Sequence, residues 1–345
     1  MLPVVTRRLR VAVLSGGRSS EHEISIASAR SVVAALDPDR YETTAIEIGR
    51  DGRWEIAGMR RGLSPAGAEG IAETLPVIAD KAPARALAEV DVVLPILHGP
   101  FGEDGTVQGL LELAGVPYVG AGVAASALCM DKDLFKAVLR DRGIPVAQNV
   151  TLRDGDAPVH PFSYPVFVKP ARLGSSVGIS KVHAEDELEP AIALARRHDD
   201  KVLIEELLDG IEVECGVLGN REPIASQVGE IVANAEWYNY SAKYEAGGMD
   251  LVIPARIPPE ATERVRTLAV ESFVATECEG MARIDLFVTS AGEVVVNEIN
   301  TIPGFTATSV YAKLFEASGI GYGELLDRLV ELALERHERR SRLVF

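Results

Sequence analysis

Cysteine is scarce in this chain: three residues among 345, Cys129, Cys215 and Cys278, widely separated and without metal-ligand spacing. That excludes a disulfide framework and a zinc ribbon, and the three read as reduced, mostly buried thiols. Basic residues are also in deficit, 35 Lys and Arg against 51 Asp and Glu, for a net charge of -16. A nucleic-acid-binding surface needs a basic stripe, so that class is excluded. Any polyphosphate partner has to be held by local Lys, Arg, glycine-rich backbone and metal rather than by the overall field. No apolar run approaches the length of a membrane span. The N-terminal region carries two arginines but no long apolar run with a small-residue cleavage site. No signal peptide is expected, and the protein is expected to be cytoplasmic.

What is present is ordinary globular material, 47% hydrophobic and 25% charged residues. The length exceeds one hydrophobic core and predicts two or three domains. Leu9 to Leu14 form a short strand ending in Ser15-Gly16-Gly17, followed by a helix with Ile24, Ala27 and Val32 on its buried face. A second apolar strand, Val90 to Leu97, runs into His98-Gly-Pro-Phe-Gly-Glu-Asp-Gly105. Strand, glycine loop, helix and strand predict an opening α/β domain with a parallel sheet and functional loops at the strand C-termini. Gly16-Gly17 lacks the full dinucleotide fingerprint, which argues against a nicotinamide cofactor. Residues 57–86, rich in Ala, Gly and Pro, read as a peripheral excursion.

The most informative stretch is Met281-Ala-Arg-Ile-Asp-Leu-Phe-Val, followed after Ser290-Ala291-Gly292 by Val294-Val-Val-Asn-Glu-Ile-Asn300. Both runs alternate apolar and polar residues over strand length. Side chains alternate on a strand, so Arg283 and Asp285 share one face, as do Glu298 and Asn300. A hairpin centred between Ala291 and Gly292 puts Asp285 opposite Glu298 and Arg283 opposite Asn300. Opposed carboxylates repel unless a cation lies between them. Two carboxylates and an amide carbonyl are hard oxygen donors that suit magnesium shared with substrate phosphates. The competing reading is a solvated strand face with chance charges.

Further signals lie upstream. Asp131 or Asp133 caps a helix whose stripe is Leu134, Phe135, Val138 and Leu139, ended by Gly143 and Pro145. The strand Tyr164-Pro-Val-Phe-Val-Lys-Pro170 brings Lys169 to the loop Ala171-Arg-Leu-Gly-Ser-Ser-Val-Gly178. Backbone N–H groups in such a loop can cradle phosphate, although no Gly-Lys-Ser/Thr makes it a Walker motif. Glu205 and Glu206 close an apolar strand and read either as acceptors for adenosine or as solvated charges at a strand end. Further strands are expected at 211–218 and 226–232, and helices at 259–277 and 322–338. Pro259 suits the first turn of the former helix.

Together these motifs resemble the D-alanine–D-alanine ligases of the ATP-grasp superfamily. The landmarks, in order, are Gly16-Gly17-Arg18-Ser19-Ser20-Glu21-His22-Glu23-Ile24-Ser25, His98 to Gly105, Met130-Asp131-Lys132 and Val168-Lys-Pro170 with Gly174-Ser-Ser-Val-Gly178. Ala242-Lys-Tyr244, Arg283-Ile-Asp285 and Asn297-Glu-Ile-Asn-Thr-Ile-Pro-Gly-Phe305 complete them. The resemblance implies an α/β protein, α+β in its ATP-grasp part, of three domains: 1–122 for substrate, 123–208 as central ATP-grasp subdomain, and 209–345 with a lid over about 234–250. It implies ligation of two D-alanines through a D-alanyl phosphate, with ATP as substrate, for peptidoglycan precursors.

By the same resemblance, Lys132 and Lys169 hold phosphates, joined by Ser175, Ser176 and Lys243. Glu205, with Glu206 and Leu208, takes the adenine, and Glu212 the ribose. Asp285, Glu298 and Asn300 bind two magnesium ions, with manganese as a substitute. Arg283 and the N–H of Gly304 stabilise the oxyanion. Glu23 pairs with the first ammonium, His98 lies near the first carboxylate (alone it reads as a packed loop histidine), and Ser309 binds the second carboxylate. Tyr244 bonds to Ser175, which reaches Glu23, while His22 is structural. A homodimer is implied.

The chain departs from the family pattern at Asn239 and Ser241, where many relatives carry acidic residues, and at Arg172, whose added charge has no evident role. Ala242-Lys-Tyr244 favours D-alanine over D-lactate as second substrate. A ligase for D-serine or another D-amino acid, and a non-catalytic nucleotide-binding homologue, are the alternatives.

Overall fold

A computed structural model describes residues 7–57, 79–80, 87, 89–174, 177–233 and 249–344. The chain divides into two compact units, one of Met1–Gly120 with Gly304–Phe345 and one of Ala121–Pro303. The first unit is therefore discontinuous, where the sequence suggested a C-terminal domain running from 209 to 345.

In the first unit, β1 (Leu9–Gly16), β2 (Tyr41–Ile48), β3 (Trp54–Ala57), β4 (Ala79–Asp80) and β5 (Val92–Pro95) form a sheet of order β4-β3-β2-β1-β5. β1 is parallel to both β2 and β5. β3 and β4 add antiparallel strands at one edge, so the expected parallel sheet is mixed. Helix α1 spans His22–Ala35 and α2 spans Thr106–Ala114. Residues 58–78, 81–86 and 88, most of the Ala/Gly/Pro-rich excursion, lie outside the described residues.

Helix α1 is rotated from the sequence expectation. Ala27 faces solvent, and the buried face carries His22, Ser25, Ser28, Ala29 and Val32. The serines go inward because loop backbone awaits them. Ser25 Oγ accepts from Gly16 N at 2.8 Å and donates to the Ile96 carbonyl. Buried hydroxyls thus satisfy the ends of β1 and β5, which a purely apolar face would leave unpaired.

In the second unit, α3 (Val123–Met130) and α4 (Lys132–Asp141) precede β6 (Asn149–Leu152), β7 (Val166–Pro170), β8 (Ser180–Val182), α5 (Leu188–Ala195) and β9 (Val202–Glu206). These strands make an antiparallel sheet of order β6-β9-β7-β8. Then follow β10 (Gly210–Gly219), β11 (Ile224–Ala233), β12 (Met249–Val252), α6 (Pro259–Ala275), β13 (Gly280–Thr289) and β14 (Val294–Asn300). They form a second antiparallel sheet, order β12-β11-β10-β13-β14. Val213, Cys215, Ile284 and Leu286 on one face of it share a buried cluster with Val265, Leu268 and Phe273 of α6. The opposite face carries Glu214, Arg283 and Asp285. Helices α7 (Val310–Ala317) and α8 (Tyr322–Ser341) return to the first unit.

Helix α4 begins at Asp131, whose carboxylate accepts from the N–H groups of Asp133 and Leu134 at 3.2 Å each. Its buried face holds Phe135 and Leu139 as expected, but Leu134 is 49% exposed and Lys136 is fully buried instead.

Candidate active site

The polar face of the second sheet is organised by register. Glu214 of β10 pairs with Asp285 of β13, and Asp285 pairs with Glu298 of β14. Three carboxylates therefore lie abreast across three strands. On the next rung of that face come Gly216, Arg283 and Asn300. The Arg283–Asn300 and Asp285–Glu298 pairings are those expected from a hairpin centred between Ala291 and Gly292.

Arg283 grips Asp285 with two nitrogens, Nε to Oδ1 at 2.7 Å and Nη2 to Oδ2 at 2.8 Å. Its Nε also lies 2.8 Å from Glu214 Oε2. Burial works against charge on this guanidinium, but Asp285, Glu214 and Glu298 outweigh it and raise its pKa well above the usual arginine value. Asn300 Nδ2 donates to Asp285 Oδ2 at 3.0 Å, and Lys132 Nζ lies 2.8 Å from Glu298 Oε1. Guanidinium and ammonium thus supply the positive charge that opposed carboxylates require. Among the described residues no three His, Cys, Asp or Glu side chains converge as a metal cage. The donors Asp285, Glu298 and the Asn300 amide are all hard oxygens on adjacent strands, which fits magnesium completed by substrate oxygens.

A second polar cluster joins α4, β7 and β9. Glu205, 3% exposed at the end of β9, is bonded to Lys169 through one carboxylate oxygen and to Lys136 through the other. Burial alone would raise the Glu205 carboxyl; the two ammonium groups prevail and hold it below the usual range. Burial pushes Lys136 down to about 8, with Glu205 only partly restoring it. Lys132 Nζ also donates to the Leu173 carbonyl at 2.7 Å, tying it to the loop after β7. Glu206 accepts from Gln148 N at 2.8 Å, and Leu208 is half-buried. Glu212, two residues before Glu214, pairs with Phe287 on the same sheet face.

Arg172, unassigned from sequence, has a structural role. Its backbone N–H and guanidinium both bond to Asp199, and Nη2 also reaches Asp200, which fixes the phosphate-type loop to the turn before β9. Ser175, Ser176, Lys243 and Tyr244, with Asn239 and Ser241, lie outside the described residues, as do 234–248 of the expected lid.

In the first unit the glycine turn after β1 is sterically demanding. Gly16 has φ +83°, and a Cβ there would lie 2.4 Å from the Ile48 carbonyl oxygen. Ser19 Oγ donates to the His98 carbonyl at 2.7 Å and accepts from Glu21 N at 3.2 Å. His98, 4% exposed, places Nε2 3.3 Å from Ser28 Oγ, which accepts from Phe305 N at 3.4 Å. Phe305 and His98 are therefore linked through one serine. Ser309 Oγ accepts from Thr306 N at 2.9 Å at the start of α7. His22 holds the Gly17 carbonyl through Nδ1 at 2.7 Å, a structural contact.

Glu23 is not gathered into this group: its side chain is 78% exposed and lies 3.6 Å from Arg50. Glu21, 7% exposed, points inward instead, and a Cβ at Gly99 would lie 2.8 Å from its Oε2. The residues missed by sequence reasoning are thus Glu21, Ser28, Lys136 and Glu214. Spacing carried a signal for two of them. Lys136 is four residues after Lys132 on one helix face, and Glu214 is two after Glu212 on one strand face.

Comparison with known proteins adds an independent line. The family described as D-ala D-ala ligase N-terminus matches residues 10–121, and that described as D-ala D-ala ligase C-terminus matches residues 138–331. The D-alanine--D-alanine ligase A of Chromobacterium violaceum is 46% identical, over 95% of this chain and 96% of its own. Among solved structures, the VanG D-Ala:D-Ser ligase from Enterococcus faecalis is 36% identical with TM-score 0.79, covering 95% of this chain and 100% of that one. The D-alanine--D-alanine ligase from Bacillus anthracis complexed with ATP is 28% identical with TM-score 0.75, covering 96% and 99%.

Proposed function

The chain belongs to the D-alanine–D-alanine ligase family, and from that premise we propose that it joins two D-alanines at the expense of ATP, in the cytoplasm and as a homodimer, to supply peptidoglycan precursors. The observation that carries the reading is the pair of rungs in which Asp285 faces Glu298 and Arg283 faces Asn300. Hard oxygen donors for a nucleotide-bound cation and a buried guanidinium for an oxyanion share one strand pair, as carboxylate activation requires.

In this reading the first D-alanine carboxylate attacks the γ-phosphorus of ATP, and ADP leaves. The amine of the second D-alanine attacks the resulting acyl phosphate, and phosphate is expelled from the tetrahedral intermediate. Lys132 and Lys169 take the phosphates; both are buried, so their charge acts in a low dielectric. Asp285, Glu298 and Asn300 would hold magnesium, which would neutralise charge on the ATP phosphates. Arg283 and the Gly304 N–H are assigned to the oxyanion, where preorganised donors contribute most. Glu205, Glu206 and Leu208 are assigned to adenine and Glu212 to ribose. His98 serves the first D-alanine and Ser309 the second. For the ammonium of the first, Glu21 is better placed than Glu23, because it is buried beside the His98 loop while Glu23 faces solvent.

The similarity to a D-Ala:D-Ser ligase supports one second reading, in which D-serine is the second substrate. Phosphate release from ATP and magnesium with D-alanine, with mass spectrometry of the product, tests both. Phosphate matched by D-alanyl-D-alanine is expected. A preference for D-serine in a mixture of the two would replace the substrate, and no ADP with any D-amino-acid pair would leave a non-catalytic nucleotide binder.

A further inference from the structure

Arg283 is buried between two carboxylates that contend for one nitrogen. Its Nε is 2.7 Å from Asp285 Oδ1 and 2.8 Å from Glu214 Oε2. A single Nε–H cannot serve both at full strength, and here it is directed at Asp285, which also takes Nη2. Glu214 is itself 4% exposed, on the strand next to β13 and abreast of Asp285. Gly216, directly opposite Arg283 on β10, has no side chain, so nothing on that rung separates the guanidinium from Glu214. A buried carboxylate at this distance is a strong counter-charge for a buried guanidinium.

We propose that Glu214 is a positioning residue that keeps Arg283 on the site face when Asp285 turns to the magnesium nucleotide. The inference rests on the ligase reading, in which Asp285 binds metal and Arg283 meets the oxyanion. With metal on Asp285, the two-pronged Arg283–Asp285 contact is broken. Glu214 then retains the guanidinium through Nε and leaves the terminal nitrogens for the oxyanion. Without the Glu214 charge, Arg283 has Asp285 as its remaining strong partner, competes with the metal for it, and is unanchored once the metal wins.

The test is Glu214→Gln, with two readouts that a merely structural role would not move together. Mn²⁺ affinity in the presence of ADP, measured by electron paramagnetic resonance, is expected to fall roughly 10–100-fold. The turnover number with D-alanine at saturating Mg²⁺ is expected to stay depressed by a similar factor, with little change in the KM for ATP. Full recovery of turnover at saturating metal would mean that Glu214 acts on the metal alone, and wild-type values in both readouts would mean that it does neither; each overturns the proposal. Should the glutamine variant not fold, Glu214→Asp separates the charge from its position. It keeps the charge but withdraws the carboxylate by one methylene, so Mn²⁺ affinity is retained while saturated turnover falls. A wild-type protein that binds no Mn²⁺ with ADP would remove the ligase reading itself, which an unchanged variant beside a competent wild type would leave intact.

Discussion

Lys136 shows what a single residue can conceal. In sequence it stands among the apolar residues of α4 and no motif singles it out, yet it is fully buried against Glu205. Glu205 holds two ammonium groups, so in the proposed function Lys136 would keep the carboxylate ionised when Lys169 turns to a phosphate. Lys136→Met removes that second partner. Lys169 is then confined to Glu205, and ATP affinity measured by calorimetry is expected to drop roughly 10-fold, on the scale of lost supporting contacts. An unchanged affinity would show that Lys169 never leaves Glu205. The same side chain has a pH signature. Its pKa is lowered to about 8 by burial and by the neighbouring Lys169 and Lys132, against Glu205, and rises to its ordinary value on unfolding. Between those values the unfolded chain binds more protons, so stability rises with pH from about 8 toward about 10.4. Thermal melts of wild type relative to Lys136→Met should show that rise. Arg283 with Asp285, and Glu298 with Asn300, were legible beforehand as same-face pairs, because strand alternation fixes each pair within its own strand. Glu21 and Glu23 were not separable, since two residues apart on a helix entry either one can point inward and only burial decides.

At the level of elements, the β13–β14 hairpin reached the expected register by an unexpected route. Thr289 N donates to the Glu293 carbonyl at 2.8 Å, which centres the turn on Ala291 rather than between Ala291 and Gly292. Left uncorrected, that turn would oppose Asp285 to Asn297. The register shifts between Asp285 and Leu286, whose partners are Glu298 and Val296, so Asn297 is an extra residue on β14. The bulge turns Glu298 and Asn300 onto the face of Asp285, a local device that alternation patterns do not reveal. Deleting Asn297 should restore an unbroken ladder in which Glu298 still opposes Asp285 and Asn300 still opposes Arg283, because the residue removed is the unpaired one. The variant is expected to keep Mn²⁺ binding in the presence of ADP, because the opposed carboxylates stay on one face. Lost Mn²⁺ binding in a folded variant would show that the bend of the bulge, and not the pairing alone, sets the site. Helix α1 is the parallel case. Its apolar positions suggested one face, but Ser25 and Ser28 went inward to satisfy loop ends that only the fold brings beside them.

For the whole molecule, the ordered motifs disclosed the family and the α/β and antiparallel parts, while the division of the chain was harder to read. Residues 304–345 pack with the first 120, and nothing in the local pattern of α7 and α8 states to which sheet they return. Charge is likewise a global property that the net value of -16 conceals. Among the described residues, Asp91, Asp133, Asp199 and Glu205 are held below the ordinary carboxylate range even though burial opposes it, because arginine, lysine or hydroxyl donors outweigh the burial. Glu230 is lowered chiefly by its hydrogen bond from Arg256. A carboxyl whose folded pKa lies below its unfolded value contributes stability that is present above the unfolded value, about 3.9 for Asp and 4.3 for Glu, and is lost as pH falls toward the folded one. The melting temperature should therefore fall steeply on acidification below about pH 4.5. Four of the five carboxylates belong to the Ala121–Pro303 unit, so the transition that ATP shifts is expected to move first. Calorimetric scans from neutral pH downward, with and without ATP, measure this directly. A midpoint that stayed level to about pH 3 would mean that the arginine and lysine partners do not hold these carboxylates in solution. An ATP-insensitive transition moving first would instead assign the acid-labile charge to Asp91 and its partners Arg7 and Arg10 at the edge of the first unit.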